Sequence, residues 1–180
     1  MIKKLLILLF FIPSIVFATD YGANFLTGGT PTCDSDAGYG GGCTAIDDDN
    51  ITTGWISANS SFPHWATYDL GAGITKTPGK ITIYGEPGNP LYIKDFNFYA
   101  SNDGTNYYFL TSGSKTNASP DYITLEITPT STAYRYFKYE ALNNHTGGGN
   151  SISELYEWYM YEVSVPATTA PQMQVIWFDE

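Results

Sequence analysis

Apolar and polar residues alternate along this chain in short runs, and a turn signal closes almost every run. YIKDFNFYAS sets Phe96, Phe98 and Ala100 against Asp95, Asn97 and Tyr99, and Asn102-Asp103-Gly104 follows at once. Successive side chains of a strand point to opposite faces, so such a run buries one face and wets the other. An Asp-Gly pair between two such runs is a strong hairpin signal. The pattern returns in WATYDLG (Ala66, Tyr68, Leu70), KITIY (Ile81, Ile83), NYYFLT (Tyr108, Leu110), YITLEI (Ile123, Leu125, Ile127) and AYRYFKYEA (Phe137, Tyr139). With no convincing helical stripe anywhere, these runs predict an all-β antiparallel sandwich or barrel with those residues inward. The last run, SELYEWYMYE, fits either face: Leu155, Tyr159 and Tyr161, or Tyr156, Trp158 and Met160.

The 180 residues divide into three parts. Residues 1–18 read as a signal peptide: Lys3 and Lys4, an apolar run, then Val16-Phe17-Ala18 as a small-residue cleavage pattern. Residues 19–165 carry the strand pattern, and residues 166–180 begin as the linker-like PATTAPQ and end in the apolar VIWFDE. Loss of Lys3 and Lys4 with the leader lowers the net charge from −10 to −12, because every acidic residue stays. Nucleic acid asks for a basic face, which this composition lacks, and the same charge opposes anionic membrane surfaces. The expected protein is acidic, secreted and extracellular or cell-surface. Export favours a disulfide between Cys33 and Cys43, the only two cysteines, across the glycine-rich TPTCDSDAGYGGGC. Such a clip stabilises by about 2–3 kcal/mol. An enzyme is the least supported class: two histidines show no nucleophile–base spacing, and neither GYGGGC nor TGGGN has the strand-to-helix context of a phosphate loop.

The stretch AIDDDNITTGW concentrates oxygen donors. Asp48, Asn50 and Thr53 lie within one short loop, which a tight turn could aim at a single point. A calcium ion takes six to eight oxygens from carboxylates, amides, hydroxyls and carbonyls. One distant carboxylate would complete the shell.

The order of four segments resembles the discoidin superfamily, the factor V/VIII type C domains, which includes galactose-binding-like carbohydrate-binding modules. The segments are DDNITTGW, HWATYDLG, KDFNFYASNDGTNYYFL, and AYRYFKYEA with NSISELY, together spanning about residues 24–163. The resemblance implies a jelly-roll sandwich with ligand loops gathered at one end. It also implies a structural calcium or sodium under the first segment. Carried over position by position, the ligands would be the Ala45 carbonyl, Asp48, Asn50, Thr53, the Ser153 carbonyl and the Glu154 carboxylate. Asp49 stands where the family usually has Gly, a position that needs positive φ, which aspartate tolerates better than most residues. Asp47 is extra and reads as facing water.

Three loops, 56–64, 85–92 and 142–150, would carry the ligand. They offer Phe62, His64, Glu86, Asn89, Tyr92, Asn143, Asn144 and His145, a polar and aromatic set suited to a neutral glycan. Galactose-binding members place an Arg after the third core strand, where this chain has Gly85-Glu86, so the His–Arg–Asn grouping is incomplete. Taken singly, His64 and His145 read as hydrogen-bonded or surface histidines. The leading expectation is a non-catalytic module recognising extracellular carbohydrate. The alternative is an adhesion protein docking on a protein partner through its C-terminal tail. Insertion of Phe62, Leu91 and Tyr92 into lipid, as in the clotting-factor branch, is opposed by the acidic balance.

Overall fold

The computed structural model describes residues 20–58, 61–87, 93–116, 122–128, 130–146 and 151–164. The segments expected as leader and C-terminal tail, and the nominated Asn89, Leu91 and Tyr92, lie outside the described residues. Among the described residues eleven strands follow one another: β1 (Asp20–Asn24), β2 (Thr30–Cys33), β3 (Trp55–Ile56), β4 (His64–Asp69), β5 (Pro78–Tyr84), β6 (Asp95–Ser101), β7 (Tyr108–Ser114), β8 (Tyr122–Glu126), β9 (Tyr136–Ala141), β10 (Glu154–Leu155) and β11 (Glu157–Ser164). A single turn of 3-10 helix, Cys43–Asp47, stands between β2 and β3. Among the described residues no helix is long and apolar enough to cross a membrane.

The strands form a five-stranded sheet in the order β2-β4-β9-β6-β7, a four-stranded sheet in the order β1-β11-β5-β8, and the short pair β10-β3. Every strand pairing is antiparallel. The inner faces meet over one aromatic core. Phe98 of the five-stranded sheet lies 5.5 Å from Tyr139 beside it and 5.6 Å from Trp158 across the sandwich. Tilted rings at these separations pack better than a face-to-face stack. The architecture is the expected jelly-roll sandwich.

Most of the inward residues stand where alternation put them: Ala66, Tyr68, Leu70, Ile81, Ile83, Phe96, Phe98, Ile127, Phe137 and Tyr139 are buried, and Leu110, Ile123 and Leu125 are half-buried against them. The last run resolves in favour of Trp158 and Met160, both fully buried. Tyr108 is the exception, 62% exposed. A bulge between Phe98 and Tyr99 shifts the pairing with β7, and β7 is the edge of its sheet, so alternation begins one step out of phase there. The disulfide between Cys33 and Cys43 is formed, tying the end of β2 to the start of the 3-10 turn.

Candidate functional site

The acidic stretch folds back on itself. Asp48 Oδ1 accepts from the Asn50 N–H at 3.0 Å and Oδ2 accepts from the Thr53 hydroxyl at 2.8 Å. Asp49 takes the left-handed conformation expected of it, with φ of 58°. Gly54 then passes so close to the backbone of Tyr156 that any side chain there would collide with it. This close approach seats the loop against the point where β10 gives way to β11. Asp47 leaves the group: instead of facing water, its carboxylate accepts from the Tyr68 hydroxyl at 2.5 Å.

The distant carboxylate that reaches the loop is Glu157, three residues beyond the expected Glu154. Glu157 Oε1 accepts the Asn50 N–H at 2.7 Å. The side chain is fully buried, and Oε2 meets no donor. Burial, and then the neighbouring Asp48 and Asp49, push the Glu157 carboxyl up to about 8. No Lys, Arg or His among the described residues forms an ion pair with Asp48, Asp49 or Glu157. Ser153 and Glu154 lie elsewhere. The Ser153 carbonyl accepts from the Ser57 N–H at 2.9 Å, and Glu154 pairs with Ile56 across β3. Burial and then Glu86 raise the Glu154 carboxyl to about 8, and its Oε2 also meets no donor. The reason is local. Residues 154–155 pair with β3, the chain bends at Tyr156, and Glu157 opens the strand that pairs with Tyr84 of β5. A motif count along the chain does not see that bend.

The donor set fits a hard cation. A buried carboxylate with an orphaned oxygen, beside a second carboxylate and with no counter-ion, costs free energy unless a proton or a metal joins it. Among the described residues no three His, Cys, Asp or Glu side chains converge on one point. An ion held by Asp48 and Glu157 would therefore complete its shell from amide, hydroxyl and backbone oxygens of the 45–53 loop and the β10–β11 bend.

In their described residues, two of the nominated loops, 56–64 and 142–150, meet at one end. The start of β4 pairs with the end of β9 through His64 and Ala141, and the start of β6 pairs with the end of β7 through Asp95 and Ser114. Within that end, most of the nominated polar side chains act as braces. His64 is fully buried, with Nδ1 2.8 Å from Asp34 Oδ2 and Nε2 2.7 Å from the Ser151 carbonyl. Asn143 accepts from the Asp95 N–H at 3.0 Å and donates to its carboxylate at 2.7 Å. Asn144 donates to the Ile152 carbonyl at 2.8 Å. His145 Nε2 lies 2.7 Å from the Lys115 carbonyl. Phe62 sits edge-on to His64, ring centres 5.1 Å apart, and Glu86 is half-buried beside Glu154. These braces join the loops before 64, after 114 and after 141 into a preformed end, which lowers the ordering cost of binding.

Residues 30–157, more than half of the chain, match the family model described as F5/8 type C domain. No curated protein matches the chain. Among solved structures, the chain is similar to CpGH89CBM32-5 from Clostridium perfringens in complex with GalNAc-β-1,3-galactose, at 21% identity and a TM-score of 0.66, covering 77% of this chain and 99% of that one. It is similar to the family 32 module of C. perfringens NanJ in complex with galactose, at 20% identity and a TM-score of 0.66, covering 79% and 100%. It is also similar to the lectin domain of lectinolysin complexed with Lewis B antigen, at 20% identity and a TM-score of 0.63, covering 78% and 97%. At these identities the structures speak for the fold, the two-sheet antiparallel sandwich described above. The family match and the shared architecture together show that this chain belongs to the F5/8 type C, or discoidin, domain family.

Proposed function

We propose that the protein is an exported, non-catalytic module that binds carbohydrate at the loop end of the sandwich and carries a structural calcium ion between Asp48 and Glu157. The observation that supports the binding role is the braced loop end, a rigid platform on a fold shared with structures whose ligands are galactose, GalNAc-β-1,3-galactose and Lewis B antigen. At that platform Phe62 offers a ring for the apolar face of a sugar. Glu86, standing where galactose-binding members place an Arg, offers a carboxylate that accepts from sugar hydroxyls. A neutral glycan suits these groups better than an acidic one.

The ion's role is structural. It neutralises Glu157 and Asp48 together and ties the first loop to the last long strand, so its binding free energy adds to folding. The orphaned Glu157 Oε2 carries this part of the proposal.

A glycan array probed with the mature protein tests the binding role, followed by the same array with Phe62→Ala and Tyr92→Ala. We expect a neutral glycan among the hits and at least about tenfold weaker binding in either variant. An array silent for the wild-type protein removes the proposed function.

A further inference from the structure

The outer face of the five-stranded sheet carries an open groove of about 470 Å³, within the range of small-ligand sites, roughly 300–1,000 Å³. Trp65 and Thr67 of β4, Tyr136 and Lys138 of β9, and Tyr107 from the β6–β7 hairpin line it, with Asp69 at its rim. Register explains the assembly. Thr67 pairs with Lys138 and Asp69 with Tyr136, so alternate residues of neighbouring strands meet on the face turned away from the core.

Three features separate this groove from an ordinary wet sheet face. Its wall is fixed: Asp103 Oδ1 accepts the N–H groups of Thr105 and Asn106 at 2.8 and 2.7 Å, and Asn102 donates to the Ala133 carbonyl and accepts from the Arg135 N–H, each at 3.0 Å. The hairpin that carries Tyr107 is thereby pinned to the sheet, with Gly104 packed on the Tyr136 ring in a left-handed conformation that suits glycine. Aromatic rings stand around the floor: Lys138 Nζ lies 5.9 Å from the Trp65 ring, 5.9 Å from Tyr107 and 5.7 Å from Tyr99. The floor and rim charges are also paired within the protein. Lys138 meets Glu140 at 2.8 Å, and Arg135 clamps Asp69 through two bonds of 2.6 and 2.7 Å.

We infer that this groove is a second carbohydrate site, which takes a neutral polysaccharide chain lying across β2, β4 and β9. Half-buried rings give the apolar sugar faces a surface to stack on, and the Thr67 hydroxyl and the paired charges offer both donors and acceptors. Because each charge already has its partner, an ionic ligand gains little there, whereas hydroxyl groups can bond to the remaining lone pairs and N–H groups without breaking a pair. The site shares its ligand class with the loop end but none of its residues, so the two can fail separately.

The test is retardation of the full mature protein in native gels containing galactan, galactomannan, xyloglucan or mixed-linkage β-glucan, with alginate as the anionic comparator. The variants are Trp65→Ala with Tyr107→Ala, Thr32→Trp to fill the groove from the exposed edge strand without removing a contact, and Phe62→Ala at the loop end. We expect at least one neutral polysaccharide to retard the wild type, and the two groove variants to weaken that by about tenfold or more, Thr32→Trp at an unchanged melting temperature. Of the four tryptophans, Trp55 and Trp158 are fully buried, so a fluorescence change on binding that disappears in Trp65→Phe and persists in Trp177→Phe would place the ligand on the groove. Loss in the groove variants supports the inference whatever Phe62→Ala does. Loss in Phe62→Ala alone overturns it and leaves the loop end standing. Retardation by alginate only, by none of the polymers, or equally in all variants also overturns it.

Discussion

Two aspartate-bearing turns of this molecule end differently. In the β6–β7 hairpin, Asp103 accepts from Asn106, Thr105 and Ser101, and these donors, the Asn106 N–H foremost, hold its carboxyl well below the usual carboxylate range. In the 45–53 loop, Asp48 is turned toward a second carboxylate, and burial pushes that partner, Glu157, up to about 8. The hairpin is complete with protein atoms alone. The acidic loop is not, because its closing group is a buried acid with an orphaned oxygen. A carboxylate whose oxygens all meet donors rigidifies a turn, whereas a buried carboxylate left with an orphaned oxygen beside a second acid calls for a cation or a proton.

The largest expected effect separates these cases directly. Without a divalent ion, folded Glu157 and Glu154 bind protons more tightly than the unfolded chain does, since both rise from 4.5 to about 8. Their contribution to stability is therefore complete below pH about 4.5 and is lost as pH climbs toward about 8. Chelated protein should melt on the order of 5–10 °C lower at pH 8 than calcium-loaded protein, measured by calorimetry at both pH values. Glu157→Gln should abolish the calcium response and remove part of the pH slope. Glu154→Gln should remove another part of the slope and leave the calcium response intact. An intact calcium response in Glu157→Gln, lost instead in Glu154→Gln, would return the closing role to the residue first expected.

A smaller effect follows from the clip that holds the start of the acidic loop. Replacing Cys33 and Cys43 together by Ser should lower stability by about 2–3 kcal/mol in denaturant melts. Because Cys43 opens the turn that leads to Asp48, calcium affinity should weaken as well, visible in a calcium titration of the melting temperature. The smallest effect belongs to the satisfied turn. The pKa of Asp103 is depressed, so its stabilisation is present above the ordinary carboxylate pKa and is lost as pH falls below it. Asp103→Ala should lower the melting temperature by a few degrees at neutral pH, with no dependence on calcium. A calcium-dependent loss there would erase the contrast between the two turns.

Much of the fold is legible in the sequence. The alternation of Phe96 with Phe98, of Ile81 with Ile83 and of Phe137 with Tyr139 placed those residues inward, and all are buried. The hairpin at Asn102-Asp103-Gly104 and the Cys33–Cys43 bond also followed from the residues themselves, and the left-handed Asp49 from the family resemblance. The candidate site was less legible. The sequence shows Asn143, Asn144, His64 and His145 as polar loop residues, but the partners that turn them into braces are Asp95, Ile152, Asp34, Ser151 and Lys115, several of them distant in the chain. Glu157 heads the final long strand directly after the bend, and the family match ends on it.

Inward and outward faces, turns and the cysteine clip are properties of a few neighbouring residues, because the pleat of a strand and the conformations of Gly, Asp and Asn act over short range. Which glutamate meets Asp48, and which rings surround Lys138, depend on where the chain leaves one sheet for another and on the register between strands far apart in sequence. The bend at Tyr156 moves the meeting point by three residues, and a pairing of β4 with β9 brings Thr67 beside Lys138. Those outcomes come from packing two sheets into one core, and the periodicity of a single strand carries no record of them.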